Sequence, residues 1–218
     1  MLQNEKKKTQ PARARERELE EELNKLQPSQ EKSALKSSLV FFVEILKVVL
    51  ISLAIIIPVR HFLIQPFIVK GASMEPNFYD HEYLIIDEIS YRLHEPERGD
   101  VVVIRDPRNT SQFFIKRIIG LAGETVRIHS GQITITNAEN PDGFILDEQK
   151  YLDSSVVTSG SDTINLRDSE VLVLGDNRGS SLDSRVFGPV DMEKIVGRAW
   201  IRAWPLDRLT QFSDITYP

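Results

Sequence analysis

Cysteine is absent from the 218 residues, so no disulfide, thiol nucleophile or Cys-ligated metal is available and nothing about redox compartment follows. Histidine is scarce. His61, His81, His94 and His129 stand apart, without the HExxH or comparable spacing that holds a metal, and no local pattern sets one of them up as the base of a triad. No metal or other cofactor is expected. Positive charge is in deficit, with 27 Lys+Arg against 32 Asp+Glu for a net charge of −5, and no basic stripe is interleaved with aromatics. Nucleic acid is therefore not an expected partner. Long apolar runs are also missing, with one exception.

That exception, Leu39 to Val59, holds 21 residues, apolar but for Glu44, Lys47, Ser52 and Pro58. As a helix it would be about 31 Å long, close to the hydrocarbon thickness of a bilayer. Glu44 and Lys47 lie at i and i+3, where they can pair and where Lys47 can snorkel toward headgroups. Each charge costs roughly 2.5 to 3.5 kcal/mol at mid-membrane and less near an end, and each Leu, Ile, Val or Phe contributes roughly −0.3 to −0.6, so insertion wins. The uninterrupted stretch Val48 to Ile57 alone would also suit a core helix of a soluble protein. A cleavable signal peptide fits less well than an uncleaved anchor, because a long tail precedes the run.

The tail carries nine Lys/Arg, and the first ten residues beyond Val59 carry only Arg60. The positive-inside rule then puts the N-terminus in the cytoplasm and everything from about Phe62 onward outside. Segment 13–26, rich in Arg, Glu and Leu, reads as a solvated and largely disordered tail, with a short amphipathic or coiled-coil helix as the alternative. The expected organisation is a charged cytoplasmic tail over 1–38, a transmembrane helix over 39–59 and an extracytoplasmic domain over 60–218.

That last part is enough for one domain or a core with a smaller subdomain. Its patterns are mostly strand-like, with short β-branched runs at Ile64–Lys70, Tyr83–Ile86, Val101–Arg105, Phe113–Ile119, Thr125–His129, Gln132–Thr136, Glu170–Leu174 and Ile195–Trp200. Ser130-Gly131 reads as a tight hairpin turn. The stretch 137–168, rich in Asn, Asp, Gly and Ser, reads as an excursion or small subdomain. The predicted fold is mainly β: one N-terminal transmembrane helix, then an antiparallel, barrel-like β-domain with a smaller β excursion.

Ser73, in Gly71-Ala72-Ser73-Met74-Glu75-Pro76, follows a strand-like run shortly after the anchor. Taken alone it is as readily an ordinary turn residue, although the glycine permits close backbone approach. A serine nucleophile needs a base, and without a suitably placed His that base would be a lysine made easy to deprotonate. Lys116 suits the role. Period-2 alternation puts Phe114 and Ile118 on its face, so its amine would emerge among apolar groups and burial would disfavour the charged form. The alternative is a snorkelling strand lysine. The segment Gly175 to Arg185 is dense in hydrogen-bonding side chains; Asp176, Asn177, Arg178, Asp183 and Arg185 suit a buried polar turn, and the serine hydroxyls suit contact with the lysine.

Five blocks in order, namely the anchor, Ser73-Met74-Glu75-Pro76, Arg98-Gly99-Asp100-Val101-Val102-Val103, Lys116-Arg117 with Gly120, and Gly175 to Arg185 ending near Gly188, resemble the type I signal peptidases, membrane-bound Ser/Lys endopeptidases. The resemblance implies Ser73 as nucleophile, Lys116 as general base, Ser181 as the hydroxyl that orients the lysine, and Asp176, Arg178, Asp183 and Arg185 as structural support. It implies cleavage of signal peptides from exported preproteins after small residues, in the pattern Ala-X-Ala. The substrate would dock as an added strand with Ile68, Val69 and Gly71 along one wall and Phe113, Phe114 and Ile115 along the other. The bilayer and the secretion machinery are further implied partners, in a plasma membrane or, alternatively, a thylakoid membrane. An oxyanion would bind the Ser73 N–H.

Three departures from the family pattern stand out. Gly71 takes the place of a serine that supplies a second oxyanion donor in some members, Asn77 that of a usual Thr, and Gly179-Ser180 that of a commoner acidic or amide pair. Two other readings compete: a membrane-anchored, non-catalytic β-domain that binds exported chains, and a self-cleaving Ser/Lys repressor-type protein, against which the anchor and the lack of a basic helix-turn-helix argue.

Overall fold

The structure, a computed structural model, describes residues 10–58, 64–213, 215 and 217. The chain divides into two compact units between Ile57 and Pro58. The first is one helix, α1 (Gln10–Pro58), whose stretch Lys36–Ile57 is long and apolar enough to cross a membrane. The apolar side chains from Leu39 to Ile57 are exposed to the surroundings, as suits a span and not a soluble core. The disordered tail expected over 13–26 is instead helical: that segment consists almost wholly of Ala, Arg, Glu and Leu, all strong helix formers. Val59, the end of the expected span, and the exit residues Arg60 and His61 lie outside the described residues.

The second unit is built from antiparallel strands: β1 (Ile64–Ile68), β2 (Tyr83–Asp87), β3 (Val101–Arg105), β4 (Phe113–Gly120), β5 (Thr125–His129), β6 (Gln132–Thr136), β7 (Phe144–Ile145), β8 (Thr163–Asn165), β9 (Glu170–Leu174), β10 (Val190–Asp191), β11 (Ile195–Trp204) and β12 (Thr210–Gln211). The larger sheet runs β1-β2-β11-β3-β4-β9-β10 with β12 against β11, and the smaller runs β7-β6-β5-β8. The smaller sheet takes in the hairpin before the expected excursion as well as strands within it. That hairpin turns on Ser130 and Gly131, both at positive φ (50° and 83°), the type I′ geometry that matches the twist of its strands.

Burial explains why these runs are strands. Alternating residues of β3 enter two different cores, Val101 and Val103 one and Val102 and Ile104 the other, so both faces of the sheet are covered. The large sheet also curls. Four strand spacings would separate β1 from β4 by about 19 Å in a flat sheet, yet the rings of Phe67 and Phe113 meet with centroids 5.6 Å apart. The curl leaves a trough between the start of β4 and the edge strand β1.

Gly120 marks the passage from the large sheet to the small one. A Cβ there would lie 2.4 Å from Val126 Cγ2 and 2.8 Å from Leu166 Cδ1. Gly120→Ala should therefore destabilise the domain by about 1 to 3 kcal/mol through overpacking, read as a lower denaturation midpoint by the fluorescence of Trp200 and Trp204.

Candidate active site

Ser73 stands in the turn that follows β1. Its neighbours Met74 and Phe78 are fully buried in the core beside Leu84 and Val103, which anchors the turn from beneath. From β4, Lys116 reaches the turn with its Nζ 2.8 Å from Ser73 Oγ, and the same nitrogen donates to the Ile115 carbonyl at 2.8 Å. Two residues 43 positions apart thus share a hydrogen bond. Lys116 is 2% exposed, and its ammonium faces the Phe114 ring at 5.4 Å. Burial drives its pKa down to about 8, against the pull of Asp183 and then Asp176, whose charges favour the protonated amine.

The segment after β9 packs on the back of this pair. Burial raises the Asp183 pKa, but hydrogen bonds from the Arg185 guanidinium and the Gly175 N–H outweigh that effect and hold the carboxyl below its usual range. Asp183 also accepts the Arg185 N–H at the start of the short helix α2 (Ser184–Phe187). Asp176, 1% exposed, takes the Arg117 guanidinium in a two-pronged pair at 2.8 and 2.7 Å and the Asn77 side-chain amide at 2.8 Å. Arg178 donates to the Gly175 carbonyl at 3.0 Å and pairs with Glu148 at 2.6 Å. The departure at Asn77 therefore has a local use, tying the serine turn to Asp176 and to the Tyr151 carbonyl.

Ser181 behaves differently from its expected partnership. Its Oγ is buried and, among the described residues, forms no well-aligned hydrogen bond to Lys116 or any other group, although it lies close enough to Asp183 to help lower that carboxyl's pKa. It does meet the site through Gly175: a Cβ on that glycine would lie 2.1 Å from Ser181 Oγ and 2.4 Å from the Ser73 carbonyl oxygen. A glycine inside a dense polar turn carries no sequence signal of such closeness, because the atoms it must admit come from other parts of the chain.

Ile68, Val69, Phe113, Phe114 and Ile115 line, with Ser73 and Lys116, a groove of about 450 Å³. Phe67 and Leu84, not singled out from the sequence, line it too. Gly71 is not in that lining; it is exposed at φ 83°, and its N–H is taken by Asp80 Oδ1 at 2.9 Å. The groove has two open strand edges. Among the described residues, β1 pairs only with β2, and Phe113 to Lys116 of β4 pair only with β3, since β9 joins β4 from Arg117 onward. A second cavity of about 420 Å³ is lined by Arg117, Arg198, Arg202 and Arg208, but their charges are matched by Asp176, Asp100 and Glu82.

The arrangement predicts that, in NMR of the ¹⁵N-labelled amines, Lys116 titrates near pH 8, apart from the surface lysines. Asp183→Asn should take it lower still, because one of the two carboxylates that favour the charged form is gone.

Comparison with known proteins identifies the family. The family model described as "Signal peptidase, peptidase S26" matches residues 42–204. The probable signal peptidase I-2 of Synechocystis sp. is 36% identical over 178 residues, covering 79% of this chain and 78% of that protein. The signal peptidase I of Leptolyngbya laminosa is 32% identical over 75% of this chain and 80% of its own length. A solved signal peptidase I from Enterococcus faecalis V583 shares 29% identity over 48% of this chain and 97% of that one, with a TM-score of 0.39. With the family model spanning most of the chain and the Synechocystis relative matched over most of its length, the chain belongs to the signal peptidase family, peptidase S26, and is a serine endopeptidase of signal peptides.

Proposed function

We propose that Ser73 is the nucleophile of this peptidase and Lys116 its general base. The observation that carries the reading is the 2.8 Å contact of Lys116 Nζ with Ser73 Oγ at an amine whose pKa burial lowers to about 8. At an ordinary lysine pKa of about 10.4, less than roughly 1% of the amine is neutral at pH 8; here about half is. The neutral amine takes the Ser73 hydroxyl proton as Oγ attacks the carbonyl carbon before the scissile bond. Charge collects on the former carbonyl oxygen. The backbone N–H of Ser73 donates to that oxygen. Collapse breaks the C–N bond, and the lysine gives its proton to the departing amine, which leaves an ester on Ser73. A water then loses a proton to Lys116, attacks the ester and releases the cleaved signal peptide.

The substrate lies extended in the groove and pairs its backbone with the open edges of β1 and β4, so affinity comes from main-chain hydrogen bonds and selectivity from the apolar lining. Ile68, Val69, Phe113, Phe114 and Ile115 form that lining, and Gly71 flanks the turn. Asp176, Arg178, Asp183 and Arg185 hold the loop behind the pair, and Ser181 stands by as the hydroxyl that steadies the amine once Ser73 is acylated. The chain is anchored in a membrane by the Lys36–Ile57 helix. Its N-terminal tail is cytoplasmic and its β-domain faces outward, across the plasma membrane or a thylakoid membrane, beside the secretion machinery that delivers preproteins. Excess tail Lys/Arg supports that orientation.

The test is cleavage of a preprotein with an Ala-X-Ala site by the full chain in lipid-supplemented detergent, with the new N-terminus read by mass spectrometry. Ser73→Ala and Lys116→Ala should each abolish the cut without loss of fold, since either removes half of one unit. Cleavage retained by either variant sinks the pair. Ser181→Ala should lose less.

The pH profile follows from the lysine. The working form is the neutral amine, so kcat/KM should climb with pH through about 8 and level off above it.

A further inference from the structure

The Ser73 N–H is the only oxyanion donor that the reading above assigns, since Gly71 has no hydroxyl and its own N–H is held by Asp80. Its direction therefore carries unusual weight, and the structure shows what sets it. The Ala72–Ser73 peptide is trans, the cis bonds among the described residues being Glu75–Pro76 and Trp204–Pro205. In a trans peptide the C=O and the N–H of one unit point in opposite directions within a plane. Whatever holds the Ala72 carbonyl thus also aims the Ser73 N–H.

Two donors hold that carbonyl. One is the local N–H of Glu75 at 3.2 Å, the other the side-chain amide of Asn177 at 3.0 Å. Asn177 also grips the next peptide, its backbone N–H donating to the Ser73 carbonyl at 3.1 Å. The two carbonyls that flank the nucleophile are thereby fastened to the loop after β9, the same loop that Arg117 and Arg178 lock in place. Among the described residues no acceptor is paired with the Ser73 N–H, which leaves it free for an incoming oxygen.

We infer that the Asn177 side chain is a positioning group that orients the Ala72–Ser73 peptide and so aims the oxyanion-binding N–H. The inference rests on Ser73 being the nucleophile. Asn177 need not touch the substrate, and it acts on neither the lysine nor the groove walls. Its contribution is greatest when charge develops on the carbonyl oxygen, so its loss lowers kcat and spares KM. Only the donor matters: an aspartate of the same shape offers no N–H to Ala72.

The experiment uses the full chain in lipid-supplemented detergent and compares parent, Asn177→Ala, Asn177→Asp and Ser73→Ala. Steady-state cleavage of an Ala-X-Ala preprotein is followed across pH, melting temperature is recorded, and inhibition is measured with a peptide aldehyde of the same sequence. That aldehyde adds reversibly to Ser73 Oγ as a hemiacetal whose oxygen takes the oxyanion position. The expected result is a fall in kcat of about tenfold or more in both Asn177 variants, somewhat below the loss from deleting an oxyanion donor outright. KM should stay within about threefold, the rise near pH 8 should not move in the charge-neutral Asn177→Ala, and aldehyde affinity should fall in step with kcat. A kcat within about threefold of the parent in either variant overturns the inference. So does a loss carried by KM, a displaced pH profile in Asn177→Ala, unchanged aldehyde affinity, or melting of both variants, which would assign Asn177 to the fold. Cleavage by Ser73→Ala would fail the nucleophile reading itself; an inactive Ser73→Ala beside fully active Asn177 variants fails this inference alone.

Discussion

One buried amine organises the candidate site. Lys116 lies on the face of β4 between Phe114 and Ile118, almost without solvent, and hydrogen-bonds Ser73. Holding its pKa near 8 instead of an ordinary 10.5 disfavours the charged form by about 3 kcal/mol. The folded state carries that cost at pH 7, since its amine binds a proton less readily than the unfolded chain's, and the cost fades as pH rises from about 8 toward 10.5. A fold accepts such a term only where the neutral amine has a use.

The charges behind the amine keep the depression moderate. Asp183 and Asp176 both favour protonation, yet each is drawn to its own guanidinium, Arg185 and Arg117. Buried pairs of this kind add little net stability, because desolvation offsets most of the attraction, but breaking one strands a charge. Their effect here is conformational. They fix a loop whose glycine must admit both the Ser73 carbonyl and Ser181, and whose amides hold the serine turn. Rigid support of this sort keeps Ser73 and Lys116 in register without their being neighbours in the chain.

Much of this was legible in the residues. Longer strands such as Val101–Arg105 and Thr125–His129 announce themselves by β-branched runs, and Ser130-Gly131 by turn chemistry. The face of Lys116 follows from period-2 alternation alone. The short strands Phe144–Ile145, Thr163–Asn165, Val190–Asp191 and Thr210–Gln211 do not appear in any pattern, because two or three residues show no period and pair only because a neighbour offers an edge. The tail stands on the other side: helix is only its second reading in sequence, because its charge suggests solvation although nearly all residues of 13–26 favour helix.

Local chemistry, then, settles the elements, the apolar helix and the residue types that can act, since periodicity, turn propensity and hydropathy are properties of neighbours in the chain. Tertiary structure alone decides that Ser73 and Lys116 touch, that the Ser181 hydroxyl is buried without a well-aligned partner among the described residues, that Gly175 must be a glycine and that two strand edges face one groove. Those facts depend on how a curled sheet brings distant segments within bonding distance, and a contact across 43 or 105 positions leaves no trace in local sequence.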